Sequence, residues 1–374
     1  MLRLVLLIGF VLVAVPALGQ SVVIDLLQNV NTFTGEPGGR PQANLELLQS
    51  SENNLIANAC IEGASLRRLE KLEIPDLKQR LQVLTDGHVL TLAEGIYTLS
   101  FPVISGQARV EFEGVVHEKA ATLAPSVGVM IGQIRDALPA NQDVVFHLLW
   151  SRVMDRMWYR TWQLEGRPGT GPPFVRWVIY PEDRFAFGTA SYGGVLGGGS
   201  NAISWDRKSI CGGFHPGSYQ EVLLRGAWGE KVRVSGLKTL QSFGLFNSNG
   251  TFEGFAYHAN GPLDRLLTEL TDRYAKLVSN AYDYGTLSKK WRIPVNNLWI
   301  AMQHETAYAI LGDLVESRKL TIPAPLRGKG DRNECRQIIS LRLVTPQRAC
   351  TDLEEANAPK ECGSSGTIAG ANSG

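Results

Sequence analysis

The 374 residues carry 37 Lys and Arg against 36 Asp and Glu, a net charge of +1, with 44% hydrophobic and 20% charged residues. That balance is ordinary for a globular chain able to bury a core, and it makes no overall electrostatic case for binding nucleic acid. A chain of roughly 350 residues beyond a leader implies two domains, or one large domain with insertions.

The leader is MLRLVLLIGFVLVAVPALGQ. Arg3 precedes an apolar run over residues 4–15, then Pro16 and the small residues Ala17 and Gly19. This is the layout of a secretory signal peptide (1–19) cut after Gly19. The run is shorter than the about 20 residues of a membrane span, and no later segment is longer and apolar. The expectation is an exported protein, periplasmic or extracellular, with no membrane span after cleavage. Export permits disulfides, and five cysteines leave at least one outside an internal pair. A bridge joining Cys335 with Cys350, or Cys350 with Cys362, fits their crowding near the end, and spacing does not choose between them. No pair has zinc-ribbon spacing, so no metal site and no cofactor are implied.

Residues 20–48 mix Asn, Gln, Thr, Gly and Pro and read as a linker. A helical module is expected over 49–138. NNLIANACIEG and SLRRLEKL supply two short helices, and PDLKQRLQVLTDG a third, with Pro75 in its first turn and Leu77, Leu81 and Leu84 at helical spacing. HVLTLAEGIYTLSF then reads as two strands around Glu94-Gly95. Over residues 53–104 this order resembles a winged helix-turn-helix module. The resemblance places a recognition helix at 74–85 and a wing at 89–101. In DNA-binding members such a helix reads the groove, but here it offers only Lys78, Gln79 and Arg80 between Asp76 and Asp86. A role in packing or protein contact is favoured. Residues 118–138 continue as helix, with Pro125 a kink or break.

The second region, 141–323, is expected to be an α+β domain with an antiparallel sheet. DVVFHLLWSRVMDRMWYRTWQL predicts one helix over 143–164, ended by RPGTGPP. His147, Trp150, Met154, Trp158 and Trp162 share one stripe of it, and Arg152, Arg156 and Arg160 another. The stripe reads first as core; the alternative is a groove in which Trp150, Trp158 and Trp162 stack on a sugar. FVRWVIYP, FAFGTAS, NAISWD, QEVLLRGAW, KVRVSGL and SFGLF read as strands, and SNGT as a hairpin turn. PLDRLLTELTDRYAKLVSNAYDYG and NNLWIAMQHETAYAILGDLVESRKL return to helical period. Residues 324–374 read as a tail, basic and then rich in Gly and Ser, largely disordered. The surplus of Arg and Lys over 318–348 suits contact with anionic surfaces.

The glycine-rich stretch GTASYGGVLGGGSNAISWD contains Ser200 and Asn201 as candidate binding residues. Its Gly197-Gly198-Gly199-Ser200-Asn201-Ala202 matches a dinucleotide fingerprint by letter, but that motif needs a helix next, and AISWD reads as a strand. The same objection meets a nucleophile elbow. Cys211 with His215 forms a candidate thiol–imidazole pair. His304 and Glu305 open HETAY, but position 308 is Tyr where a zinc-peptidase helix would carry its second His. No catalytic motif is complete. The expected function is therefore an exported, non-catalytic binding or interaction protein with an envelope or extracellular partner. The alternatives are an envelope hydrolase using Cys211 or His304 and Glu305, and DNA binding through residues 74–86.

Overall fold

The chain divides into two units, Met1–Val30 with Pro41–Ser100, and Asn31–Arg40 with Phe101–Gly374. The computed structural model describes residues 23–33, 42–180, 187–193, 200–206, 219–232, 237–323 and 338–343. The leader, Cys211, His215, Cys335, Cys350 and Cys362 lie outside the described residues.

The first unit opens with α1 (Leu26–Asn29), after which β1 (Val30–Phe33) leads into the second unit. A 3₁₀ turn at Leu45–Gln49 precedes α2 (Ser51–Ala59), where the Ser50 hydroxyl accepts the Asn53 N–H and caps the helix. The short strand β2 (Ala64–Ser65) comes next, then α3 (Leu66–Glu70), capped by Ser65, and α4 (Leu77–Asp86). The hairpin β3 (Leu90–Ala93) and β4 (Ile96–Leu99) turns through Glu94 and Gly95, both at positive φ, as a two-residue turn matching strand twist requires. The sheet order is β2-β4-β3.

Part of the expected linker belongs to this unit. Asn58 and Asn54 on α2 both donate to the Ile24 carbonyl, and their side-chain oxygens accept the Ile24 and Leu26 N–H groups. Two helix amides thus take the place of a neighbouring strand. Their partners lie 28 to 34 residues away, which local composition does not register.

In the second unit β5 (Val103–Ile104) leads into α5 (Gly106–Ala137). This helix starts well before residue 118 and runs through Pro125. Phe112, Val116, Ala120, Leu123, Val127 and Met130 form its buried stripe, and packing along a later helix outweighs the hydrogen bond that proline forfeits. The expected single helix over 143–164 is segmented. After a 3₁₀ turn at Gln142–Val144 come α6 (Val145–Leu148), a π turn at Leu149–Met154 and α7 (Met157–Leu164). The π turn is closed by the Asp155 N–H on the Trp150 carbonyl at 2.8 Å.

β6 (Val175–Ile179) pairs parallel to β5 and completes a three-stranded sheet of order β1-β6-β5. β7 (Phe187–Gly193) and β8 (Ser200–Asp206) pair antiparallel from Gly193 opposite Ser200. They are followed by α8 (Gln220–Ala227), α9 (Leu237–Ser242), β9 (Phe255–His258), α10 (Pro262–Val278), α11 (Tyr284–Trp291), α12 (Val295–Glu316) and β10 (Ile338–Leu343). The second sheet, of order β7-β8-β10-β9, is mixed rather than antiparallel, because β10 runs parallel to β9 and antiparallel to β8.

The architecture is α+β, mostly helical with three small sheets. Three local expectations change. QEVLLRGAW is helical, since its buried residues Leu223 and Leu224 are adjacent and do not alternate. SFGLF supplies the end of α9 and a single bridge, Phe246 to Phe252, across the Asn249-Gly250 turn. Within the expected tail, Ile338–Leu343 is an interior strand with Ser340, Leu341 and Leu343 buried. Among the described residues no helix is long and apolar enough to cross a membrane.

Packing in the first unit makes a direct prediction. Leu84 is fully buried and Val83 beside it is 41% exposed. Leu84→Ala is expected to cost about 2–5 kcal/mol and Val83→Ala under about 0.5 kcal/mol. Hydrogen-exchange protection of the α4 amides measures both, and equal losses would refute this orientation of the helix.

Candidate functional site

α12 carries Gln303, His304, Glu305 and Thr306 in succession, all buried. The His304 ring is boxed by aromatic rings. Trp158 stacks on it at 5.1 Å, while Trp150, Trp177 and Tyr308 stand at 5.6, 5.3 and 5.1 Å. The Glu305 carboxylate accepts the Trp177 Nε1–H at 3.0 Å. The Gln303 amide donates to the Tyr284 hydroxyl and the Val278 carbonyl, and Thr306 shares a hydrogen bond with the Tyr282 hydroxyl. Of the residues singled out in the sequence, Trp150, Trp158, His304 and Glu305 therefore come together as an enclosed core cluster, with Trp162 joined to it through Trp299.

Trp162 also borders a half-buried ion pair. Arg167 donates to Glu165 at 2.7 Å and lies 5.0–5.4 Å over the Trp162, Tyr284 and Trp299 rings. Glu165 in turn accepts the Trp299 indole N–H and the Asn280 backbone N–H.

The polar face of the unit is built where the π turn meets β10. Ser340 and Arg342 alternate with Ile339, Leu341 and Leu343, so one face of β10 is apolar and the other polar. Ser340 Oγ lies 2.8 Å from His147 Nε2 and accepts from Arg152 Nε at 3.1 Å, while its carbonyl accepts Arg152 Nη2 at 2.9 Å. The Arg152 guanidinium sits 5.6 Å over the Tyr257 ring. Arg342 grips Asp264 through two bonds of 2.7 and 2.9 Å. Between these groups opens a cleft of about 210 Å³ lined by Arg152, Arg156, Tyr257, Asp264, Leu267, Thr268, Thr271 and Asp272.

Burial and neighbouring charge set the ionisation of the cluster. Burial, with help from the Arg152 charge, pulls His147 down to about 3, so it is neutral. Burial also lowers Arg152 to about 10, with Arg156 and Arg342 pushing the same way against Tyr257 and Asp264. At Asp264 burial pulls upward, but the Arg342 hydrogen bond, the Asn260 N–H and the Arg342 and Arg152 charges together hold the carboxyl below its usual range. Asp155, beside the π turn, is pushed up to about 7 by burial, against the Trp158 hydrogen bond and the Arg156 charge.

The glycine-rich stretch is split by the sheet. Ser200 and Asn201 are β8 positions opposite Arg342 and Leu341 of β10, and a strand occupies the place where a dinucleotide site would need its helix. Residues 194–199 lie outside the described residues. Sequence reading missed Tyr257, Asp264, Thr268, Thr271, Asp272 and Ser340, and it placed Arg342 in the basic 318–348 surplus, where the structure pairs it with Asp264. Two signals mark them: Asp264, Thr268, Thr271 and Asp272 recur at helical spacing, and Ser340 and Arg342 interrupt an apolar strand at period two. Among the described residues no group of three or more His, Cys, Asp or Glu is placed to hold a metal ion. No protein-family model, curated protein or solved structure matches the chain.

Two outcomes test these clusters. Arg167→Gln strips a 4% exposed Glu165 carboxylate of its guanidinium and is expected to cost about 3–5 kcal/mol in urea unfolding; a loss under about 0.5 kcal/mol, the ordinary surface effect, would show the clasp to be marginal. For Asp155, a folded pKa above the unfolded 3.8 means that stability falls as pH rises from about 4 to about 7. Asp155→Asn should therefore raise Tm relative to the parent at pH above 7 and leave it little changed near pH 4. His147 acts oppositely, losing stability as pH falls from 6.5 toward 3. An Asp155→Asn shift that is the same at both pH values would refute the assignment.

Proposed function

We propose that the chain is an exported, non-catalytic binding protein whose second unit holds a small polar ligand in the cleft between the π turn, α10 and β9. The cleft itself carries this reading. Its 210 Å³ corresponds to about seven water volumes at roughly 30 Å³ each, the scale of a small metabolite. One floor residue, Arg152, is 2% exposed and already oriented by Ser340, which favours binding because little order remains to be imposed.

The surroundings of the described candidate residues favour binding over catalysis in this reading. His304 and Glu305 are enclosed in aromatic packing. The two threonine hydroxyls of the cleft lining are engaged with backbone, Thr268 donating to the Asp264 carbonyl and Thr271 to the Arg152 and Leu267 carbonyls. Neither is set against a base as an activated nucleophile would be. Export rests on the leader of residues 1–19.

The first unit fits an interaction role. Its element order and its β2-β4-β3 sheet support the winged-helix resemblance. Arg80, on the expected recognition helix, turns inward to the Ser50 and Asn53 side chains and the Pro75 carbonyl. Residues 42–100 hold more Asp and Glu than Lys and Arg, which disfavours a polyanionic partner there.

Native mass spectrometry of the protein purified from its producing cells tests the cleft. A co-purifying small molecule is expected on the parent and absent from Thr268→Phe, which fills the space. Equal retention by both proteins, or no bound molecule together with no ligand-induced Tm change across a metabolite panel, would overturn the reading.

A further inference from the structure

We infer that the cleft takes a small, uncharged, hydroxyl-rich molecule, and that the Tyr257 hydroxyl is the group that reads it. This rests on the cleft being a ligand site and adds the chemical class of what it holds.

Charge is the first argument. The described lining residues include Arg152, Arg156, Asp264 and Asp272, whose formal charges cancel. These groups are also engaged inside the protein. Arg342 bonds Asp264 twice, and Arg160 pairs with Asp272 at 3.1 Å. Arg152 is held by Ser340 and the Tyr257 ring and feels the Asp264 charge. Arg156 is engaged as well. A ligand charge of either sign would find its opposite already taken and a like charge beside it, and it would lose hydration for little return. An uncharged ligand carries no such cost.

Hydrogen bonding points the same way. Tyr257 lines the cleft and is 8% exposed, yet its hydroxyl has no hydrogen-bond partner among the described residues. The ring is placed by Arg152 at 5.6 Å and by Phe255 at 6.1 Å. Burial, with help from Asp264, holds the Tyr257 pKa above its ordinary value against the nearby arginines. The hydroxyl therefore keeps its proton and both donates and accepts. A buried hydroxyl without a partner costs free energy that a ligand hydroxyl restores. Thr268 and Thr271 commit their protons to backbone carbonyls and present acceptor lone pairs. Ligand hydroxyls have hydrogens to give to such acceptors, whereas an ionised carboxylate has none. Leu267 adds an apolar surface for the C–H face of a hydroxylated ring.

Titration calorimetry on the full chain tests this with three molecules of one ring framework: glucose, glucuronate with its carboxylate, and glucosamine at a pH that keeps its amine protonated. Glucose is expected to bind more tightly than either charged ring, with an affinity that added salt leaves unchanged. Tyr257→Phe removes one oxygen and keeps the ring. It should weaken glucose about three- to tenfold, the scale of one neutral hydrogen bond. Because that hydroxyl has no internal partner among the described residues, the unfolding midpoint should stay where it is, which separates recognition from a structural role. Either charged ring binding as tightly as glucose, or a glucose affinity indifferent to Tyr257→Phe, would overturn the inference. If a charged ring binds best and Thr268→Phe abolishes its binding, the cleft remains a ligand site and only the uncharged class falls. Failure of all three rings to bind also overturns the assignment, and the mass-spectrometric comparison then decides separately whether the cleft is a site.

Discussion

Helix α12 is buried on every side from Leu298 to Thr306 and beyond, and it carries four consecutive buried polar side chains. Each is met inside the unit, and the partners come from several elements. Gln303 is met by the end of α10 and by α11, His304 by rings from the π turn, α7 and β6, Glu305 by β6, and Thr306 by Tyr282. A buried polar group left unmatched costs more than an apolar one gains, so these contacts do more than add stability. They restrict which elements can lie around α12, and in what register.

The π turn is the second constraint. Six residues, Leu149–Met154, are all buried, although they include Ser151 and Arg152. An added residue in a helical turn shifts the faces presented before and after it. Trp150 and Trp158 thereby reach His304, while Arg152 reaches Ser340 on β10. One segment supplies both the aromatic box and the wall of the cleft. Buried Arg152 and half-buried Arg167 are handled differently. Arg167 is paired with Glu165 and covered by three rings, whereas Arg152 is oriented by Ser340 and lines a cleft.

Much of the helical framework was legible because it is written within one turn of chain. The Leu81 and Leu84 spacing, the stripe from His147 to Trp162, and the periodicity of α10 and α12 all survive in the structure as buried faces. The His304 and Glu305 pair stood out as chemistry-bearing residues, yet their surroundings are aromatic packing. Nothing adjacent to them in the chain announces Trp158 or Trp177, which lie well over a hundred residues upstream.

The amino-acid sequence by itself determined the periodic helices such as α4, α10 and α12, which of their stripes are apolar, and that the Asn-Gly and Glu-Gly pairs turn, since these depend on neighbours three or four residues apart and on local φ preferences. Only the tertiary structure decided that Ile338–Leu343 is an interior strand, that Pro125 stays inside a helix, and that Arg152 and Asp264 line one cleft beside β10. Those outcomes depend on contacts between residues from tens to nearly two hundred positions apart, whose free energy exists only once distant elements have packed and excluded water.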